Sequence, residues 1–194
     1  MAMKKELVRL RHARSKKDFP EITLEEDEYV ELAIRRSKIG LFFIWVGVLL
    51  GFAALTAALI LFINGATSSS VFKINDTSKH YLYIMVFALY VIVFLVGIVA
   101  TVTYASNKLY ITNKRAIQMS MTSLFSKSVN VVDLVSIEDV SFKQNGFFEH
   151  LFQLGTIRMS TVGDETTYTF KYVNTPRDEL DTITHLVHTV KTKK

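Results

Sequence analysis

Two long apolar segments, residues 39–63 and 81–106, dominate the hydrophobic pattern of this 194-residue chain. Neither contains a charged side chain, and each is about as long as the roughly 20 residues with which a helix crosses the hydrocarbon core of a bilayer. Lipid offers the backbone no hydrogen-bond partners, so two such segments joined by a short loop predict a hairpin of two membrane helices. We expect an integral membrane protein with spans at residues 39–63 and 81–105.

After residue 106 the apolar and polar positions alternate with the period of two that is typical of strands. An initial strand containing Leu109 and Ile111 is followed by β-rich runs at residues 115–121, 126–132, 135–143, 155–162 and 166–173. Turn signals separate these runs at Asn113-Lys114, Thr122-Ser123, Asp133 and Gly163-Asp164. The pattern predicts six to seven antiparallel strands in a small barrel or sandwich.

The last segment of the chain has the pattern of an amphipathic helix. Thr175 is placed to cap its N-terminus, Pro176 suits the first helical position, and Asp178 suits the third. Apolar residues then recur on one face at Leu180, Ile183, Val187 and Val190. We expect this helix to cap the β domain, which comprises residues 106–194.

The first 38 residues divide into two blocks of opposite charge. Residues 1–17 carry seven Lys or Arg and one acidic residue, whereas residues 18–31 carry seven acidic residues and no basic one. Because apolar anchors are sparse, the basic block predicts a disordered arm, and the acidic block predicts a short helix before the first span. The basic arm either contacts anionic lipid headgroups or acts only as a topology determinant, and the sequence leaves both interpretations open.

Basic residues flank the two spans on one side of the predicted membrane. Arg35, Arg36 and Lys38 adjoin the first span and Lys108 follows the second, whereas the connecting loop, residues 64–80, holds only two lysines and one aspartate. Short flanks rich in Lys and Arg stay on the cytoplasmic side. The sequence therefore predicts a multi-pass protein of the cytoplasmic membrane with both termini in the cytoplasm.

The formal net charge of +5 resides mostly in the basic arm. A nucleic-acid-binding domain would carry clustered basic residues interleaved with aromatic ones. The β domain is instead nearly neutral, so we expect no nucleic-acid partner. The chain has no cysteine, which excludes disulfides, thiolate nucleophiles and cysteine-based zinc sites.

Small residues follow one face of the first span, at Gly47, Gly51, Ala54 and Ala58. The Gly47–Gly51 pair has the G-x-x-x-G spacing that lets membrane helices approach closely. This face packs either against the second span or against another copy of the chain in a homo-oligomer. Because neither span contains an ionisable residue, a pathway for ions or protons fits poorly.

Several motifs resemble those of the bacterial pleckstrin-homology (PH)-like membrane proteins. They are KLYITNKR at 108–115, LVSIEDV at 134–140, LFQLGTIR at 151–158 and Pro176, together with an acidic segment at 24–36. The resemblance covers about residues 24–190. It implies two transmembrane helices and a cytoplasmic PH-like barrel of two curved sheets with a capping helix, and it implies no catalytic residues. Gln153-Leu154 departs from the family, which usually has a glycine-bearing turn there.

The residues themselves do not indicate catalysis either. His185 and His188 lie one turn apart with Asp181 before them, but this face is opposite the apolar stripe and offers no preorganised pocket for further ligands. Glu138 and Asp139 are adjacent on a predicted strand, so their side chains point to opposite faces. We expect no enzyme activity, no bound metal and no cofactor.

The first strand of the β domain begins at the predicted membrane, so alternate loops return to it. We expect residues 120–125 and 143–154 to be membrane-proximal and the turn at residues 113–114 to be distal. The proximal segments supply a candidate interface with lipid or a membrane partner, formed by Met121, Leu124, Phe125, Lys127, Lys143 and Phe147. A plug that closes the barrel end is the favoured interpretation for Phe148, Leu151 and Phe152.

These observations favour a membrane-anchored, non-enzymatic binding or assembly module with a PH-like domain at the cytoplasmic membrane face. Its expected partners are the lipid bilayer, including anionic headgroups, and a second copy of the chain or another membrane protein subunit. The alternative function is a subunit of a transport or envelope-stress complex in which the spans themselves act.

Overall fold

The computed structural model describes residues 2–68, 76–161, 167–174 and 176–192. The chain divides into two compact units. One unit is Lys38–Tyr104, and the other combines Met1–Ser37 with Ala105–Lys194. The residues on both sides of the apolar hairpin therefore belong to a single domain.

The elements are helix α1 (Ala2–Asp18), strand β1 (Val30–Arg35), helices α2 (Lys38–Ser68) and α3 (Asp76–Ala105), strands β2 (Lys108–Thr112), β3 (Arg115–Ser123) and β4 (Ser126–Asp133), a 3-10 turn (Leu134–Ser136), strand β5 (Ile137–Lys143), helix α4 (Gly146–Leu151), strands β6 (Leu154–Thr161) and β7 (Thr167–Asn174), and helix α5 (Pro176–Thr192). The predicted order of strands and the C-terminal helix are confirmed. The predicted cap at Thr175 and turn at Gly163-Asp164 lie outside the described residues.

Helices α2 and α3 confirm the two predicted helices. Their segments Lys38–Gly65 and Lys79–Ala105 are long and apolar enough to cross a membrane, with mean hydropathies of 2.7 and 2.9. Of the most apolar 18-residue stretch of each helix, only 6% and 11% are buried. A helix that is apolar all round and belongs to the core of a soluble protein is instead mostly buried. Most of their apolar surface is therefore left for contacts outside the chain.

The two long helices approach each other through glycines on both. A Cβ atom at Gly97 of α3 would lie 2.6 Å from a methyl group of Val48, and one at Gly51 of α2 would lie 3.3 Å from a methyl group of Val93. Gly47, in contrast, has nothing within 4 Å of the position of a Cβ. Of the predicted G-x-x-x-G pair, only Gly51 thus faces α3. The small face also includes two exposed residues, Ala54 and Ala58.

The second unit consists of two antiparallel sheets and a C-terminal helix, which is a PH-like fold. The first sheet has the order β1-β2-β3-β4 and the second has the order β5-β6-β7. A bridge between Arg36 and Val173 connects the end of β1 to β7. The core lies between the sheets and α5, where Leu109, Ile157, Phe170 and Ile183 are at most 1% exposed.

Strand β1 corrects the sequence prediction, which expects a helix before the first span. Residues 30–35 instead pair with β2, with Val30 opposite Thr112 and Arg35 opposite Lys108. The competing signal is the alternation of this segment, which places Ile34 in the core at 1% exposure. In the sequence, helices α2 and α3 therefore lie between β1 and β2, which are neighbouring strands of one sheet.

Helix α1 corrects the prediction of a disordered arm. Residues 2–18 contain neither Gly nor Pro and are rich in Lys, Arg, Ala and Leu, which favour helix. Pro20 then disfavours helical backbone at the residue before it. The second half of α1 is anchored to the domain, because the Val30 amide donates to Ser15 Oγ at 3.1 Å and His12 Nδ1 lies 2.6 Å from the Glu28 carbonyl oxygen.

Candidate functional site

The hairpin between β3 and β4 presents an exposed apolar tip. Its turn is formed by Leu124 and Phe125 rather than by the predicted Thr122-Ser123, because β3 continues to residue 123. Phe125 is 98% exposed and Leu124 is 43% exposed. The Asn107 side chain fixes the base of this hairpin: Oδ1 accepts the Met121 amide at 3.2 Å, and Nδ2 donates to the Met121 carbonyl at 3.3 Å. The tip is therefore held at the end of the sheet where β2 begins.

The segment between β5 and β6 forms a second exposed apolar group. Helix α4 contributes Phe147, Phe148 and Leu151, all more than half exposed. The predicted barrel plug is thus wrong for Phe148 and Leu151, while Phe152 is partly buried. A six-residue helix buries little of its surface, and Leu154 at the start of β6 is the buried apolar residue beside it.

Gln153 gives the connection to β6 its shape. Its φ of +51° is in the left-handed region, where a residue other than glycine costs about 1–2 kcal/mol. The sequence predicts a departure from the resembling family's glycine-bearing turn at this position, and Gln153 adopts there a backbone conformation that favours glycine. Gly155, two residues later, is required for packing, because a Cβ there would lie within 2 Å of the Phe142 ring.

Both exposed groups lie at the same end of the domain. Leu154 at the start of β6 is opposite Asn174 at the end of β7, and the neighbouring Val173 bridges to Arg36 just after β1. The β3–β4 tip is at the end of the first sheet where β1 ends and β2 begins. We call this end the junction end, because the chain leaves it for α2 and returns to it from α3.

The predicted cations are at the junction end as well. Lys127 is opposite Met121 in the β3–β4 ladder, and Lys143 is the last residue of β5. Both lysines are exposed, whereas Met121 is partly buried. The structure thus brings the six predicted interface residues to one end of the domain, on two separate segments.

The opposite end contains a charged network that the sequence interpretation missed. Glu28 is 0% exposed, and its carboxylate accepts hydrogen bonds from Arg115 Nε and Nη2, Thr112 Oγ1 and the Glu25 amide. Burial alone would raise the pKa of Glu28, but the hydrogen bonds from Arg115, Glu25 and Thr112 hold it below its ordinary value. Lys114 donates to the Glu26 carbonyl at 3.0 Å. The cations of the β2–β3 turn therefore pair with the chain's own acidic block, residues 18–31, which we call the acidic segment from here on.

A second ion pair attaches the acidic segment nearer the junction end. Lys108 Nζ donates to both carboxylate oxygens of Glu21, at 2.6 and 2.8 Å, and the Tyr110 hydroxyl also donates to this carboxylate. Burial would raise the pKa of Glu21, but the bonds from Lys108 and Tyr110 lower it overall. Burial and the Glu21 carboxylate raise the pKa of Tyr110. Two sequence signals could have predicted that residues 18–35 pack against the sheet. These are the alternation of residues 30–34, which is typical of a strand, and the opposite charges of residues 18–31 and of the cations on β2 and β3.

Helix α5 carries the histidines that most resemble metal ligands. His185, His188 and Asp181 are exposed, on the face opposite the buried Ile183 and Val187. Across the described residues, no group of three or more His, Cys, Asp or Glu is arranged to hold a metal ion.

Comparisons with known proteins found a matching family and a similar solved structure. The chain matches the Bacterial PH domain family over residues 34–186. It is similar to a crystal structure of a DUF1696 family protein with a pleckstrin-homology domain from Shewanella loihica PV-4, at 15% sequence identity and a TM-score of 0.35, covering 42% of this chain and 70% of that chain. No curated protein matches the chain. Because the family match takes in α2, α3 and all strands from β2 to β7, the chain belongs to the Bacterial PH domain family.

Proposed function

We propose that this protein is a non-enzymatic binding module, anchored in the cytoplasmic membrane by α2 and α3. In this proposal the junction end of its PH-like domain binds the cytoplasmic surface of the bilayer through the β3–β4 tip and α4. The observation that carries the proposal is the concentration of exposed aromatic side chains at this end. PH domains are generally binding modules rather than catalysts, which supports the non-enzymatic role.

The length of the connections supports this orientation. Only Arg36 and Ser37 separate β1 from α2, and only Ser106 and Asn107 separate α3 from β2. Each residue spans at most about 3.3–3.6 Å, so the junction end of a membrane-anchored chain stays within about 10 Å of where the helices end. The opposite end of β2 is a further ~17 Å away by strand rise.

The side chains at the junction end have the chemistry of an interface with lipid. Aromatic residues concentrate at the headgroup level of membranes, where lysines also lie. Transferring Phe125 from water into this layer would contribute up to about 1.5–3 kcal/mol. Lys127 and Lys143 would each add about 1 kcal/mol near an anionic surface.

A depth measurement on the full-length protein in bilayers tests this orientation. Trp45 is the only tryptophan of the chain, so the variant Trp45→Phe supplies a silent background for single probes. Phe125→Trp and Phe147→Trp are placed at the junction end, and Glu138→Trp, exposed near the start of β5, is the matched control. We expect lipids brominated on their acyl chains to quench the first two probes and to leave the control unaffected.

Two results would contradict the proposal. Water-exposed, unquenched emission from both junction-end probes would show that this end does not bind lipid. Blue-shifted emission without quenching would instead show that these side chains pack against another protein, which would favour the alternative role as a subunit of a transport or envelope-stress complex.

A further inference from the structure

We propose that copies of this chain associate through the first half of α1, which binds an apolar groove with an acidic rim on the neighbouring copy. This contact goes beyond the lipid-binding role and does not depend on where the β3–β4 tip lies. Two surfaces of complementary character, one on α1 and one on the first sheet, carry the inference.

The first half of α1 combines an apolar stripe with cations. Its stripe repeats at helical spacing and is more than half exposed, at Met3, Leu7 and Leu10. Lys5 and Arg9 are exposed and make no hydrogen bond or ion pair with the described part of the chain. Among the described side chains of α1, the first with a polar contact to the rest of the domain is Arg11, whose guanidinium lies 3.6 Å from Glu31. The apolar stripe and the two cations beside it thus form an exposed helix face.

The groove lies on the outer face of β3 and β4. Its volume is about 430 Å³, which is within the range of about 300–1,000 Å³ typical of ligand pockets. Ile117, Met119, Val129 and Val131 line its floor, and the two valines are 50% and 48% exposed. A site of this size and character suits a few apolar side chains of a helix.

The groove is lined by one cation, Arg115, but acidic side chains outnumber it and are opposite in charge to the cations of α1. Glu21 and Glu25 line the rim, and the exposed Glu26 and Asp27 follow on the adjoining turn. Glu21 and Glu25 pair with cations of their own domain, but the carboxylates of Glu26 and Asp27 make no such contact with the described residues. A helix that carries Lys5 and Arg9 beside its apolar stripe therefore complements this groove in both polarity and charge.

The position of the two surfaces favours a second copy as the occupant. Helix α1 is attached at Glu28 and Val30, at the end of the sheet away from the junction end. The groove includes Arg115 and extends toward the same end. Copies whose domains stand side by side would thus present the helix and the groove at the same level. Because the surfaces differ, the contact is head-to-tail and generates a ring or a chain of copies.

Disulfide trapping in the full-length protein tests the contact directly, since the natural chain has no cysteine. A Leu7→Cys copy and a differently tagged Val131→Cys copy are expressed together and oxidised in membranes. We expect these two copies to form a disulfide-linked heterodimer. Leu7→Cys paired with Lys171→Cys is the control, because Lys171 is exposed on β7 in the other sheet, and we expect little cross-linking there.

Light scattering in mild detergent gives an independent measurement. The protein should have a mass above that of the 22.1 kDa monomer, and Leu7→Glu, on an exposed helix face, should lower it to the monomer. High salt should lower it as well, because the charges are solvent-exposed. A monomeric natural protein would overturn the proposal. So would an intrachain disulfide in the double variant Leu7→Cys/Val131→Cys, because α1 would then cover its own groove.

A lipid surface is the competing occupant of α1. Loss of binding to anionic vesicles in Lys5→Glu/Arg9→Glu, combined with no cross-link between Leu7→Cys and Val131→Cys, would assign α1 to the membrane and overturn the proposal. Cross-linking that persists in the presence of such vesicles would support it.

Discussion

The carboxylate of Glu28 accepts two hydrogen bonds from the guanidinium of Arg115, with both nitrogens at 2.9 Å. Glu28 precedes the inserted helical hairpin and Arg115 follows it, so the ion pair joins residues 87 positions apart. The acidic segment is therefore a structural part of the PH-like domain. Its contacts attach the N-terminal part of the chain to the sheet on the other side of the insertion.

Replacing Glu28 by Gln should destabilise the domain strongly. The variant removes the carboxylate that accepts from Arg115 Nε and Nη2 in a site where Glu28 is 0% exposed. Of its ion pairs with the described residues, Arg115 then keeps only the one between its Nη1 and the half-exposed Glu25, at 3.3 Å. We expect a loss of about 3 kcal/mol in the free energy of unfolding, the lower end of the cost of breaking a buried ion pair. Thermal unfolding of the full-length protein in detergent measures it, with the exposed Glu26→Gln as the control. Equal midpoints for the two variants would contradict this role of Glu28.

The ion pairs of Glu28 and Glu21 should make the stability of the domain depend on pH. The pKa values of Glu28 and Glu21 are lowered in the folded protein, so both carboxylates stabilise it above the ordinary glutamate pKa of about 4.3. This stabilisation is lost as the pH falls below that value and through the folded pKa values. The difference in midpoint between the natural protein and Glu28→Gln should therefore be largest near pH 7 and shrink toward pH 3. A constant difference would show that the ionised carboxylate is not responsible.

A chain without the helical hairpin should still form the PH-like domain. Arg35 is opposite Lys108, so a short glycine-containing turn can join residues 1–37 to residues 105–194 as in a β-hairpin. We expect this spliced chain to unfold cooperatively, as followed by circular dichroism. Residues 106–194 alone should not, because they lack β1 and its buried Ile34. Equal cooperativity of the two chains would show that β1 is dispensable.

Bulk added between the long helices should be costly at one glycine and tolerated at another. Gly97→Leu places a side chain against Val48, whereas Gly47→Leu meets nothing within 4 Å of its Cβ. We expect Gly97→Leu to lower stability in detergent by about 1–3 kcal/mol, as overpacking does elsewhere. If Gly47→Leu also lowers stability or oligomer mass, the small face of α2 is a contact between copies.

The positive flanks predict that both termini are cytoplasmic. A cysteine at Ser69, between the two predicted spans, should react with an impermeant thiol reagent on intact cells. A cysteine at Glu138, in the PH-like domain, should react only after the cells are made permeable. Labelling of Glu138→Cys in intact cells would reverse the predicted topology.

Local patterns in the sequence determined most of the secondary structure. The apolar runs that contain Gly51 and Gly97 predict helices without any knowledge of their neighbours, because a helix satisfies its own backbone hydrogen bonds. Period-two alternation similarly predicts β3 to β7, and the 3.6-residue stripe of Ile183 and Val187 predicts α5. These elements depend on side chains that are close together in the sequence, which explains why the predicted elements agree with those of the structure.

Only the tertiary structure decided which distant segments meet. Residues 30–35 are too short for their own preference to distinguish strand from helix, and their partner strand begins at Lys108, beyond the inserted hairpin. Which glycine faces α3 depends on the rotation of α2 about its axis. The direction of Phe148 and Leu151 depends on how α4 packs against β6. Pairings such as Glu28 with Arg115 likewise require the folded geometry, because many acidic and basic residues compete as partners in the sequence and only packing brings two of them within hydrogen-bond distance.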